Sequence, residues 1–167
     1  MVLTETSPTA GDVVIDSVGQ EAGDVVEASE PRRQYAALPF RLAPDGSLQV
    51  LLITSRSTRR WIIPKGWPMG QRAPHKVAER EAMEEAGIAG RIRKQPLGSY
   101  GYDKLMSDGS RVRCRVDVYP LDVRKEKASW PEKKRRERRW MAVEEAASLA
   151  DDAELVPLIR NLTVGKD

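Results

Sequence analysis

The stretch Arg80-Glu81-Ala82-Met83-Glu84-Glu85-Ala86-Gly87-Ile88 has residue types and spacing that could do chemistry. On a helix, Glu81, Glu84 and Glu85 fall within about 100° of one another, so three carboxylates share one stripe. Like charges at this spacing repel, and Arg80 reaches Glu84 at i+4 but cannot satisfy all three. A rigid set of oxygen donors suits a hard divalent cation, Mg²⁺ or Mn²⁺. An exposed acidic helix face is the plainer alternative, and spacing alone leaves both open. A loop with two glycines precedes the helix, and a backbone carbonyl there could complete a coordination shell. Glu79 points to the other face, toward solvent.

Several elements must hold that helix in place. Pro74 suits a first helical turn and opens a helix running to about Ala86, with Gly87 as its C-cap. Upstream, Gln34 to Leu42 reads as a strand whose Pro39 favours an edge or bulge. Pro44-Asp45-Gly46 turns it into a second strand, Leu48 to Ile53. Trp61 to Pro64 is a short apolar strand, and Lys65 to Ala73 is a loop. Further strands are expected over Ile92 to Tyr102, Val112 to Val123 and Glu137 to Val143, with a turn at Asp108-Gly109. Two short helices follow near 144–150 and 153–162. This order of mixed elements predicts an α/β or α+β sandwich.

The chain has 167 residues, 28 Lys and Arg, 25 Asp and Glu, one Cys and one His. One cysteine excludes a disulfide framework and a Cys-based zinc site, and suits a reducing compartment. No apolar run spans a bilayer and no secretory signal is evident, so a cytoplasmic protein without membrane association is expected. Residues 1–30 hold seven acids and no Lys or Arg, leaving 28 basic against 18 acidic residues in the remainder. A basic domain points to a polyanionic partner. The acidic, aromatic-free segment 1–31 reads as a disordered tail, and 32–167 as the folded domain.

Gly66 followed by Arg80-Glu81-x-x-Glu84-Glu85-x-Gly87-Ile88 resembles the Nudix box, G-x5-E-x7-R-E-U-x-E-E-x-G-U with U apolar. The segments 32–41, 51–66 and 136–146 are similar to the diphosphoinositol polyphosphate phosphohydrolase and diadenosine polyphosphate hydrolase branch of that family. The resemblance covers about residues 32–162. It implies an α/β/α sandwich with a mixed sheet, a loop-helix-loop motif, and hydrolysis of a phosphoanhydride in an anionic polyphosphate small molecule. By position, Glu81, Glu84 and Glu85 would hold Mg²⁺ or Mn²⁺ with a main-chain carbonyl of Lys65 or Gly66. Arg80 would orient the glutamates, and Gly87 and Ile88 would be structural. Glu84, Glu85 or the off-box Glu137 would take a proton from water. Arg72 stands where the box carries a glutamate, which leaves the number of metal ions open and raises a rival reading, a binding or regulatory module with little catalysis.

Arg33, Ser55, Arg56, Arg60, Lys65 and Arg111 lie in or near segments resembling that branch's phosphate-contacting parts. Arginine suits phosphate through its fork of donors and lysine through its point charge. The run Lys133-Lys134-Arg135-Arg136-Glu137-Arg138-Arg139 could bind nucleic acid, but it lacks interleaved aromatics apart from Trp140 and reads as a solvated loop. Trp61 and Trp140 read as strand anchors, Cys114 as an inward-facing apolar residue, and Met83 as part of the buried helix face. The sequence fixes no oligomeric state.

Overall fold

The structure is a computed structural model and describes residues 30–165. The acidic segment therefore lies, but for its last residues, outside the described part. Among the described residues, eight strands form one mixed sheet: β1 Arg32–Leu42, β2 Leu48–Thr54, β3 Trp61–Ile62, β4 Lys65–Gly66, β5 Ile88–Ile92, β6 Gly98–Leu105, β7 Arg111–Glu126 and β8 Arg138–Ala142. The helices are α1 Pro74–Glu81, α2 Val143–Leu149 and α3 Val156–Arg160, with a 3₁₀ turn at Ala153–Leu155.

β1 lies in the interior of the sheet, against the expectation of an edge. It runs parallel to β7 from Arg32↔Cys114 to Phe40↔Asp122, and antiparallel to β4 and β2 along its other side. Pro39 is tolerated because of where its missing N–H would point. The Ala37 amide donates to Pro64 on the β4 side, so position 39 faces that same side, between the end of the β4 pairing and the start of the β2 pairing at Phe40. The β1–β2 turn forms as expected: Gly46 takes φ +87°, and Asp45 accepts from the Ser47 amide and hydroxyl.

Two cores lie on opposite faces, separated by the two-residue period of the strands. Ala36, Leu38, Phe40, Val50, Leu52, Val116 and Val118 cluster with Ala146, Leu155 and Ile159 of the C-terminal helical region. Ala37, Leu51, Ile53, Tyr119 and Leu121 instead meet Ala78, Ala82 and Ala86. Small residues on the carboxylate helix bring its backbone close to the sheet. This is the expected α/β architecture, with helices on both faces of a mixed sheet.

Three local differences matter. The helix is α-helical only to Glu81 and continues as a π-helical turn over Ala82–Ala86, before Gly87 closes it at φ +67°. Met83 is half-buried, because the alanines form the packed face. The strand expected over Ile92 to Tyr102 resolves into β5 and β6, with Pro96 in the connection. Cys114 is buried in β7 between exposed Arg113 and Arg115, as expected.

Candidate active site

The π turn redistributes the three glutamates. A wider turn rotates less per residue, which carries Glu85 toward Glu81 and swings Glu84 away. Glu81 and Glu85 are buried at the wall of a cleft of about 690 Å³, whereas Glu84 lies outside its lining. Arg80 Nε donates to Glu84 Oε1 at 2.9 Å, the i+4 pairing expected from spacing.

The two buried carboxylates are poised against one another. Burial and the nearby Glu85 and Glu84 charges push Glu81 up to about 8. Burial also raises Glu85, opposed by Arg136 and Lys65. The Lys65 amide donates to Glu85 Oε1 at 3.2 Å, and Arg136 Nη2 stands 3.4 Å from Oε2. Arg136 is 8% exposed; its Nε donates to Glu132 at 2.8 Å and its Nη1 to the Thr54 carbonyl at 3.1 Å. Gly66 packs tightly against this pair, since a Cβ there would displace the Glu81 carboxylate.

The donor set fits a hard cation. Burial first, and then the acidic neighbours, favour the protonated form of Glu81, and a divalent ion would answer the same need with more charge. Among the described residues, no three carboxylate, imidazole or thiol groups already stand close enough together to hold one. Glu84 would have to leave Arg80, or backbone oxygen complete the shell.

The cleft is also lined by basic residues, with two further acids, Asp103 and Asp152. Ser55, Arg56, Arg60, Lys65 and Arg111 all line it, together with Gln34, Trp67, Tyr102, Lys104 and Asp152. Burial lowers the pKa of Lys65, against the attraction of Asp152 and Glu85, and its ammonium lies 5.0 Å from the Tyr102 ring centre. The Tyr102 hydroxyl donates to Gln34 at 2.6 Å. The rim loop is tightly braced: Ser55 Oγ and Thr58 Oγ1 are 2.9 Å apart, and Arg60 binds Asp151 at 2.6 Å. Arg60 thus holds the rim as well as facing the cleft.

Arg33 and Glu137 are not brought to the cleft; on β1 the reason is that neighbouring strand positions face opposite sides, whereas Glu137 precedes β8. Gln34 takes the cleft side of β1, and Arg33 pairs with Asp117 at 2.9 Å. Glu137 is exposed, while its backbone bonds Thr54 and its neighbour Arg136 lines the cleft. Arg72 is exposed and outside the lining, so no cation is placed among the carboxylates from that position.

Residues that sequence reasoning missed are Gln34, Trp67, Lys104, Glu132, Arg136 and Asp152. Trp67, next to Gly66, could have been found by adjacency. Arg136 was hidden in a run that reads as solvated. Gln34 and Asp152 carry no sequence signal.

A carboxylate-bearing helix packed on a mixed sheet, beside a cleft that also carries basic side chains, defines an α/β domain of a recognisable class. The NUDIX domain model matches residues 32–162, and the chain belongs to the Nudix hydrolase family. Nudix hydrolase 13, mitochondrial, of Arabidopsis thaliana is 36% identical over 131 residues, covering 67% of this chain and 63% of that protein. Diphosphoinositol polyphosphate phosphohydrolase 3-beta of Bos taurus is 30% identical over 117 residues, covering 69% and 66%. The chain thus spans less than two thirds of the length of either relative. The crystal structure of a C. elegans Ap4A hydrolase shares the fold, with a TM-score of 0.57 at 21% identity over 78% of this chain and 95% of that one. Among the described residues no helix is long and apolar enough to cross a membrane. The mitochondrial name of the first relative lends no support to the cytoplasmic placement expected from sequence.

Proposed function

We propose that the domain is a Mg²⁺- or Mn²⁺-dependent pyrophosphohydrolase. Its substrate would be a polyphosphorylated small molecule: a diadenosine polyphosphate, a diphosphoinositol polyphosphate or a nucleoside polyphosphate. The observation that carries this reading is the buried Glu81–Glu85 pair set into a cleft whose lining also holds six Lys and Arg side chains. Glu81, Glu85, Glu84 and the Gly66 carbonyl would hold the cation. When bound, a divalent cation neutralises phosphate charge and makes water more acidic. Glu84 or Glu85 would accept the proton of the attacking water, Glu84 only after it turns from Arg80 toward the cleft. Arg56, Lys65 and Arg111 bind phosphate oxygens and hold the chain in line for attack. The anhydride P–O bond breaks, and both products leave as phosphates. We keep the cytoplasmic placement on the strength of the single cysteine; cell fractionation tests it.

The test is product release from a panel of diadenosine polyphosphates, diphosphoinositol phosphates and nucleoside triphosphates, each with Mg²⁺, Mn²⁺ and EDTA. Metal-dependent turnover of one class supports the hydrolase and names its substrate.

One observation favours a second reading, a ligand-binding module. Arg136 already compensates Glu85 without a metal. Tight binding of one of these ligands in EDTA, with no product formed in any metal, would select it.

A further inference from the structure

A helix ends with its last carbonyls unsatisfied, and those of the carboxylate helix are the ones that must not move. Here the connection between β7 and β8 takes them in turn. The Glu132 amide donates to the Glu84 carbonyl at 3.2 Å, and Trp130 Nε1 to the Glu85 carbonyl at 3.1 Å. Arg138 Nη1 donates to the Ala86 carbonyl at 2.8 Å and to that of Gly87 at 3.2 Å. The Lys127 amide also bonds the Gly87 carbonyl, at 2.7 Å.

The two side chains are themselves locked together. The Arg138 guanidinium lies 4.0 Å from the Trp130 ring centre, and its Nη2 binds the Lys127 carbonyl at 2.9 Å. The Trp130 ring also fills the space in which Gly87 would carry a Cβ. Gly87 therefore serves twice, by its left-handed φ and by admitting the indole.

We propose that Trp130 and Arg138 are positioning residues for hydrolysis, holding the backbone of the π turn so that Glu84 and Glu85 stand where the reaction needs them. The inference rests on the hydrolase reading above. It gives the basic run a role that neither a solvated loop nor a nucleic-acid patch supplies: Arg136 and Arg138 point inward, to the carboxylate helix. The indole N–H bonds the backbone of Glu85 itself, so its loss acts on the residue that carries the chemistry. A capping role confined to stability would leave the folded molecules fully active.

Trp130→Phe separates these cases, because it keeps the ring against Gly87 and removes only the N–H. Arg138→Lys keeps the charge but cannot donate to three carbonyls in one plane. Exposed Lys134→Ala, in the same segment, serves as control. The measurements are kcat and KM on the substrate found above, Mn²⁺ affinity by electron paramagnetic resonance, and the melting midpoint. In Trp130→Phe, kcat is expected to fall about tenfold with KM within about twofold of the unaltered protein. Mn²⁺ affinity is expected to fall by about tenfold, as when a metal ligand loses its support. Arg138→Lys should follow in the same direction, and Lys134→Ala should change nothing. A lowered melting midpoint with kcat and Mn²⁺ affinity unchanged in Trp130→Phe would overturn the proposal. If the unaltered protein turns over nothing, the functional reading fails, and Mn²⁺ affinity alone then decides the positioning role: unchanged affinity in Trp130→Phe overturns it.

Discussion

Two regions of this molecule are rich in arginine and lysine, and they use the same residues in opposite ways. At the cleft, Arg56 and Arg111 are exposed on the lining. In the segment from Lys127 to Arg139 three arginines turn back on the protein: Arg136 to Glu85 and Glu132, Arg138 to the helix end, and Arg139 to Glu145. What separates them is the need of their surroundings. A helix terminus and a buried carboxylate require donors, and a cation that meets such a need becomes structural. A cation on a cleft wall with no such neighbour remains for a ligand. A count of basic residues therefore overstates how much positive charge is offered to a partner.

Glu85 belongs to both regions, since it lines the cleft and is gripped by the internal set. Its replacement should therefore have the largest effect. Glu85→Gln is expected to lower kcat by about 10²-fold or more, as loss of a general base or metal-holding carboxylate does. Steady-state assays at saturating Mg²⁺ provide the check, and full activity would remove Glu85 from the mechanism.

Arg136→Met comes next and tests the internal set directly. Removing a cation that is 8% exposed leaves Glu132 without its partner and Glu85 with Lys65 alone to oppose its charge. Breaking such a pair from one side costs about 3–5 kcal/mol. Urea denaturation should show a loss of that size, and added Mn²⁺ should recover part of it by neutralising the same carboxylates. A variant as stable as the unaltered protein would mean that Arg136 is no more structural than the rim.

The rim should respond in binding rather than stability. Arg56→Ala and Arg111→Ala are each expected to raise KM about three- to tenfold, with a smaller penalty at high salt, because exposed charges are screened. Their melting midpoints should stay near that of the unaltered protein. If either instead unfolds the domain, the division between the two regions fails.

The sequence makes parts of this arrangement legible and conceals others, for physical reasons. Pro74, Gly87 and the Asp45-Gly46 turn mark their elements because each meets a backbone requirement few residues satisfy. The shared stripe of Glu81 and Glu85 is likewise readable from spacing, which also put Glu84 there, and Gly66 joins them only through the family motif. The π turn is not readable, since no residue in Ala82–Ala86 signals it, and it decides that Glu84 stays outside. β5 is short, contains Gly90, and owes its form to pairing with the far end of β7. Arg33 is one residue from a position that faces the cleft, and strand parity is set by partners remote in the chain; Glu137, just before β8, is likewise next to cleft-lining Arg136. Arg136 and Arg138 share that lesson. Their inward direction depends on a helix end about 50 residues earlier, which no local pattern records.

The smallest effect should come from Arg72, although the motif alone makes it the most conspicuous departure. A cation held among the carboxylates would repel a metal ion, and its removal would then raise metal affinity and turnover. The side chain is instead exposed on the loop before α1 and outside the cleft lining. At that position an exposed charge acts through water and salt, where single interactions are weak. Arg72→Ala and Arg72→Glu are therefore both expected to leave kcat and Mn²⁺ affinity within about twofold of the unaltered protein. Glutamate is the sharper substitution, because it restores the residue type of the motif. A gain of tenfold or more in Mn²⁺ affinity on Arg72→Glu would show that the loop closes over the carboxylates when metal is present. Arg72 would then belong with the cations that face the cleft, and the line drawn between rim and interior would have to be moved.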